Sequence, residues 1–69
     1  MYEIIFVVEE SNEGGYIAKA LGVSIVTEAD TIEELRNAVK EAVHCHFDDT
    51  DTMPRMIRLH LVRDEVFAA

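Results

Sequence analysis

The pattern of hydrophobic and polar positions shows one stretch with helical period, residues 31–47. Within it, apolar residues recur at steps of three and four, which aligns them on one stripe of an α-helix. The stripe consists of Ile32, Leu35, Val39, Ala42, Val43 and Phe47. The remaining face is polar and consists of Glu33, Arg36, Asn37, Lys40, Glu41 and His44. The pattern predicts an amphipathic helix with one packed face and one hydrated face.

The start of this helix carries the signature of a capping box. Thr31 can accept a hydrogen bond from the backbone amide three residues later, and Glu34 can reach back to the amide of Thr31. Both bonds satisfy amides that the first helical turn leaves free. We therefore expect the helix to begin directly after Thr31.

Three strand-like segments precede the helix. Residues 2–10 alternate and are rich in β-branched and aromatic side chains, which predicts the first strand. Residues 11–15 are turn formers with two glycines, so the chain should reverse as a hairpin into a second strand at residues 16–21. Gly22 marks another turn, and residues 23–27 read as a third strand.

A loop and a last strand follow the helix. Residues 48–54 contain acids, threonines and the chain's single proline, which predicts a loop. Residues 56–62 alternate again, with Ile57, Leu59 and Leu61 expected to face inward and Arg58 and His60 outward.

The resulting order, βββαβ, predicts one α+β domain over residues 1–69. We expect a three-stranded antiparallel meander, one helix packed on the sheet and one further strand. A single helix covers one face only, so Ile5, Val7 and Ile17 on the other face need a different cover. A chain of 69 residues is too small for a further layer. We therefore predict a homo-oligomer, a dimer or larger.

Cysteine content and the lack of long apolar runs limit the classes of protein to which the chain can belong. The single cysteine, Cys45, allows no internal disulfide and fits no zinc-finger spacing. No run approaches the roughly 18 apolar residues of a membrane span, and the N-terminal segment is acidic where a signal peptide would be basic. We expect a cytoplasmic protein without a membrane partner.

The charge balance bears on possible partners. Six Lys and Arg residues stand against 14 Asp and Glu residues, for a formal net charge of −8. This charge repels phosphate backbones, so we expect no direct binding of nucleic acid. It would assist association with a basic protein.

The end of the helix gathers side chains that bind metals in other proteins, namely His44, Cys45 and His46. Residues two apart on a helix point roughly 200° from each other, so the two histidines cannot face one ion. They complement the negative end of the helix dipole instead. Cys45 has no third residue placed to orient a base, and we expect it to be a small, partly buried core residue.

Other candidate groups also have simpler interpretations. Gly14 and Gly15 lack the flanking pattern of a phosphate-binding loop and are expected to serve the turn. The acids near turns are expected to be solvated; they are Glu9, Glu10, Glu13, Asp48, Asp49 and Asp51. We predict no catalytic, metal or cofactor site and no enzyme activity.

The segment GGYIAKALGVSIVTEADTIEELRNAVKEAV resembles the core of the HicB-like antitoxin family, whose members are small partners of HicA-like toxins. The resemblance covers most of the chain and rests on the order and spacing of common residue types. The matching positions are Gly15, Tyr16, Ala18, Leu21, Gly22, Thr27, Asp30, Thr31, Glu33, Glu34, Asn37, Glu41 and Ala42. It implies a partial ribonuclease H-like βββαβ fold without nuclease activity.

The chain departs from the family pattern at two places. Family members usually have prolines around Leu21 and a glycine before the acid-threonine pair, where this chain has Ala29. In addition, the chain stops soon after its last strand, so we expect no C-terminal DNA-binding domain of the kind that complete antitoxins carry.

Three functional hypotheses follow. The first, which the resemblance implies, is a non-enzymatic, self-associating domain that binds and inhibits a small basic HicA-like RNA-cleaving toxin. The second is a metal- or small-molecule-binding accessory subunit of an enzyme complex, with its site at His44, Cys45, His46 and His60. The third is an orphan oligomeric scaffold.

Overall fold

Within residues 2–49 and 51–69, which the computed structural model describes, the chain forms four strands and one helix. These elements are β1 (Glu3–Glu10), β2 (Tyr16–Ala20), β3 (Val26–Ala29), α1 (Ile32–His46) and β4 (Met56–Val62). The order confirms the predicted α+β arrangement, βββαβ. Thr50, which the sequence places in the loop before β4, lies outside the described residues.

The strands form one mixed sheet in the order β3-β2-β1-β4. β1 pairs antiparallel with β2, and β2 pairs antiparallel with β3, which is the predicted meander. β4 adds at the other side of β1 and runs parallel to it, so β3 and β4 are the two edges. Phe6 is opposite Ala20 on one side and Leu59 on the other, which places all three side chains on the same face.

The helix covers this face, and the core lies between the two layers. β1 contributes every second residue, as the alternation predicted, and α1 contributes its apolar stripe. The buried core residues are Ile4, Phe6, Val8, Ala18, Ile25, Leu35, Val39 and Val43. Burial of a side chain of this kind stabilises a fold by about 1.5–3 kcal/mol, so this cluster holds the helix on the sheet.

The helix begins and ends where the sequence pattern predicted, but only half of the predicted capping box forms, because among the described residues the Glu34 side chain accepts no hydrogen bond from the amide of Thr31. Thr31 is the N-cap in extended conformation, and its Oγ1 accepts a hydrogen bond from the amide of Glu34 at 3.1 Å. The first backbone bond of the helix runs from the amide of Leu35 to the carbonyl of Thr31 at 2.8 Å. At the other end, the amide of Phe47 donates to the carbonyl of Val43 at 3.0 Å.

The hairpin between β1 and β2 depends on its glycines. The amide of Ser11 donates to the carbonyl of Gly15 at 3.0 Å, and the amide of Gly14 donates to the carbonyl of Ser11 at 3.1 Å. Both glycines have positive φ, which other residues rarely adopt. At Gly15 a Cβ atom would lie 2.8 Å from the carbonyl oxygen of Ala29, so the close approach of the turn to β3 also requires glycine.

The predicted bounds of the third strand are wrong. β3 begins at Val26, whereas the alternation suggested residues 23–27. The reason is a local turn in which the amide of Ile25 donates to the carbonyl of Val23 at 3.0 Å. This turn directs Ile25 into the core at 6% exposure, although it precedes the strand.

The residues after β4, 63–69, form neither helix nor strand. The described chain measures 51 × 19 × 18 Å, and a strand of eight residues accounts for only about 27 Å of the long axis. The radius of gyration is 13.4 Å, compared with about 11 Å for a compact domain of this length. We call residues 63–69 the C-terminal arm, because they extend the molecule along its long axis.

Candidate interaction surfaces

The helix lies off-centre on the sheet, and this creates a groove. α1 contacts β3 and β2, where small side chains such as Ala18 allow a close approach. β4 lies at the opposite edge, and its helix-side residues Ile57 and Leu61 are 37% and 57% exposed. The predicted direction of these side chains is therefore confirmed, but the helix does not cover them.

We call this groove, between α1 and β4, the basic groove. Its volume is about 530 Å³, and its apolar wall and floor are formed by residues of both elements, such as Val39 and Leu59. Arg36, Lys40 and Arg55 also line it, which is half of the chain's six Lys and Arg residues. Among the described residues, no Asp or Glu lines it. The groove therefore combines an apolar floor with a positive rim.

A second concave surface, which we call the acidic cleft, has the opposite charge. It lies along the β3 edge, between the β1–β2 turn and the first turns of α1, and has a volume of about 620 Å³. Its four acids are Glu13, Glu28, Asp30 and Glu34. No Lys or Arg lines it among the described residues, so its field attracts cationic groups.

The side of the sheet away from the helix, the open face, is the third surface. The strand registers place Ile5, Val7 and Ile17 there, as the sequence predicted. Val26 joins them on β3 with 66% exposure. Within the described chain this apolar strip has no covering layer, which is the condition from which we predicted self-association.

An ion pair borders the open face at the β1–β4 junction. The guanidinium of Arg58 donates to both carboxylate oxygens of Glu3, at 3.1 and 3.0 Å. These hydrogen bonds, and then the negative charge of Glu3, raise the pKa of Arg58 above its ordinary value. Because both side chains are accessible to water, the pair fixes the register of β4 more than it stabilises the fold.

The structure does not bring the candidate metal ligands together. His44 lines the basic groove, whereas the ring of His46 makes an edge contact with Phe47 at a centroid distance of 5.0 Å. His60 lies on β4 with its side chain on the open face. In residues 2–49 and 51–69, no group of three His, Cys, Asp or Glu residues is placed to hold a metal ion.

Our expectation for Cys45 is wrong, because its side chain is exposed. Cys45 follows buried Val43 by two positions, and a two-residue step on a helix turns a side chain by about 200°. The residue therefore points away from the sheet. The spacing of the apolar stripe was sufficient to predict this direction of the Cys45 side chain.

The acids at the turns have structural roles or face water. Oδ1 of Asp49 accepts a hydrogen bond from the amide of Asp51 at 2.9 Å, which closes the turn before β4. A carboxylate oxygen of Glu10 lies 3.8 Å from Nε of Arg63 at the start of the C-terminal arm. Glu9, Glu13 and Asp48 are exposed.

Sequence reasoning missed the part of the basic groove that comes from residues 53–55. Pro54 is buried, and Arg55 joins the helix residues Arg36 and Lys40 along one groove. Arg55 is held in place by its amide, which donates to the carbonyl of Tyr2 at 2.9 Å. This contact spans most of the chain, so no local pattern signals it.

The fold and its surfaces define a small α+β domain with a helix on one side of a mixed sheet and two concave surfaces of opposite charge. No helix among the described residues has the length and apolar character needed to cross a membrane. The chain belongs to the UPF0150 family.

Family membership rests on two relatives named UPF0150 protein. The one from Thermotoga maritima is 44% identical over 66 residues, which cover 96% of this chain and 91% of the relative. The one from Archaeoglobus fulgidus is 54% identical over 46 residues, which cover 67% of this chain and 68% of the relative. No protein-family profile and no solved structure matches the chain.

Proposed function

We propose that this chain is a non-enzymatic, cytoplasmic HicB-like domain that self-associates and binds a small basic HicA-like RNA-cleaving toxin, blocking the toxin's active site. The observation that carries the proposal is the acidic cleft. It offers four carboxylates and no Lys or Arg among the described residues, and a basic protein surface is the complementary partner.

The location of the cleft also supports this function. Tyr16, Asp30 and Glu34 line the cleft, and all three belong to the segment that resembles HicB-like antitoxins. The cap of α1 and the glycine turn hold its two sides in place, the cap through a hydrogen bond to the Thr31 hydroxyl and the turn through backbone hydrogen bonds. The acids therefore sit on ordered elements, which limits the conformational entropy lost when a partner binds.

The charge distribution favours the acidic cleft over the basic groove as the toxin-binding surface. A basic toxin would meet Arg36, Lys40 and Arg55 at the groove, and like charges at an interface oppose association. We therefore place the toxin at the β3 edge and keep the groove for a different ligand.

The test is a binding titration with the small basic HicA-like protein that this proposal places in the neighbouring open reading frame. Calorimetry should show saturable binding that weakens as salt rises, because the contacts are ionic. Glu13→Lys and Glu28→Lys together should weaken binding by about tenfold or more. Glu41→Lys is the matched control for charge, since Glu41 lies on the outer face of the helix and does not line the cleft.

The alternative of an orphan oligomeric scaffold is supported by the apolar open face. The same titration distinguishes the two hypotheses. A chain that self-associates but does not bind the neighbouring basic protein would be a scaffold, and the antitoxin proposal would then be wrong.

A further inference from the structure

The basic groove and the C-terminal arm have complementary properties. The arm carries two acids, Asp64 and Glu65, followed by Val66 and Phe67. These last two side chains are 94% and 80% exposed, so the described chain leaves its most exposed apolar groups on an unpaired segment. The groove has an apolar floor and three cationic side chains on its lining.

We propose that the C-terminal arm of a second copy of this chain occupies the basic groove, and that the exchange is reciprocal within a dimer. The inference extends the self-association part of the proposed function and does not depend on a toxin. The groove is incomplete without the partner copy, which supplies an aromatic ring to the floor and carboxylates to the rim.

An extended arm presents an acidic and an aromatic side chain on the same side. In extended backbone, residues two apart point the same way, so Glu65 and Phe67 share one side. That side presents a carboxylate for Lys40 or Arg36 and a ring for the apolar floor. A buried aromatic side chain anchored in a pocket is typical of an interface hot spot.

The arm of the same chain is poorly placed to do this. Arg55 lies before β4 and the arm follows β4, so about 23 Å of strand separates them. Arg63 lies beside Glu10 at the hairpin end of the sheet, which is the opposite end of β4 from Arg55. To reach Arg55, the arm would have to turn back over this distance, which exceeds the roughly 16 Å that residues 63–67 span when extended.

The arm of a second copy can begin close to Arg55. The outer edge of β4 has no strand partner in the described chain, and two such edges can pair antiparallel about a two-fold axis. Antiparallel pairing places the end of one β4 beside the start of the other, where Arg55 and His44 line the groove. The five residues 63–67 span about 16 Å when extended, so after one turn at this mouth of the groove the arm can pass Arg55 and reach Lys40, which lies about 6 Å beyond His44 along the helix.

The first experiment measures the dimer by sedimentation equilibrium. The wild-type chain should be dimeric at micromolar concentration, and Phe67→Ser should weaken the dimer by about tenfold or more. Val26→Ser is the control, because it removes another exposed apolar side chain, 66% exposed against 80% for Phe67, from the open face. A monomeric wild type would overturn the proposal, as would a dimer that Val26→Ser dissociates and Phe67→Ser does not.

A charge exchange tests the same contact from both sides. Lys40→Glu and Glu65→Lys should each weaken the dimer roughly three- to tenfold, and the double variant should recover most of the affinity. Lys19→Glu, on the open face, is the control for net charge. All these positions are exposed, so circular dichroism should show unchanged folding. Failure of the double variant to recover would refute the proposed pairing.

A fluorescence measurement locates the arm. The chain contains no tryptophan, so Phe67→Trp introduces a single reporter. Its emission should shift to shorter wavelength as concentration rises through the dimer range, and Lys40→Glu should move that transition to higher concentration. Emission typical of a water-exposed indole in the dimer would overturn arm exchange even if the dimer itself forms.

Discussion

Gly15 shows how a single residue controls the placement of the acidic cleft. Its positive φ closes the β1–β2 turn, and the absent Cβ lets the turn approach Ala29 on β3. Gly14 also has positive φ but meets nothing within 4 Å of a built Cβ. Substitutions at Gly14 and Gly15 therefore distinguish the cost of backbone strain alone from the added cost of a steric clash.

We predict that Gly14→Ala destabilises the fold by about 1–2 kcal/mol, the cost of a left-handed conformation for an L-residue. Gly15→Ala should cost at least about 1 kcal/mol more, because its Cβ would meet a backbone oxygen. Urea denaturation of both variants measures the difference. Equal free energies of unfolding would show that the turn moves away from β3 without strain.

Thr31 is the second residue whose role can be measured alone. Thr31→Ala removes the hydrogen bond from the amide of Glu34 and should lower stability by about 1 kcal/mol. For a domain of this size, the melting temperature should fall by about 4–8 °C. Ser24→Ala, at an exposed loop position, is the control and should leave the midpoint unchanged. An unchanged midpoint in Thr31→Ala would contradict the capping role.

At the scale of elements, local patterns predicted the helix and the hairpin well. The apolar stripe, the cap and the turn glycines act over a few residues, and each determined its element as expected. The same stripe indicates that Cys45 is exposed, because the position of a residue around the helix, and not its type, determines which way its side chain points. The bounds of β3 could not be obtained in this way, because a tight turn at Ile25 interrupts the alternation.

The corrected β3 boundary predicts a contrast between neighbours. Ile25→Ala should cost about 2–5 kcal/mol, since it empties a core position, whereas Val26→Ala should cost less than about 1 kcal/mol. Thermal or urea unfolding of both variants tests this. A larger loss for Val26→Ala would mean that the open face is covered in solution.

At the scale of the whole molecule, the net charge follows from the sequence, but the grouping of acidic and basic side chains on two different surfaces does not. Glu13, Glu28 and Asp30 come from different elements and meet only in the folded chain. The same holds for Arg55 beside Lys40. Both surfaces depend on long-range strand pairing, which sequence periodicity does not encode. The placement of the helix to one side of the sheet has the same origin.

The charge separation bears on nucleic acid. We predict that the isolated 69-residue chain binds neither DNA nor RNA tightly at about 150 mM salt. The basic groove offers three Lys and Arg side chains, so at most about three phosphate contacts would form, whereas tight complexes make six or more. Anisotropy titrations with labelled duplex DNA and single-stranded RNA measure this. Submicromolar, sequence-specific binding would contradict the expectation.

The measurement that tests the central claim most directly is RNA cleavage by the HicA-like protein that we propose as partner, in the presence of increasing amounts of this chain. The account predicts that cleavage stops near a fixed stoichiometric ratio with wild type and with Glu41→Lys. The paired Glu13→Lys and Glu28→Lys variant should require about tenfold more protein. Cleavage that continues unchanged at saturating wild-type chain would contradict the antitoxin function.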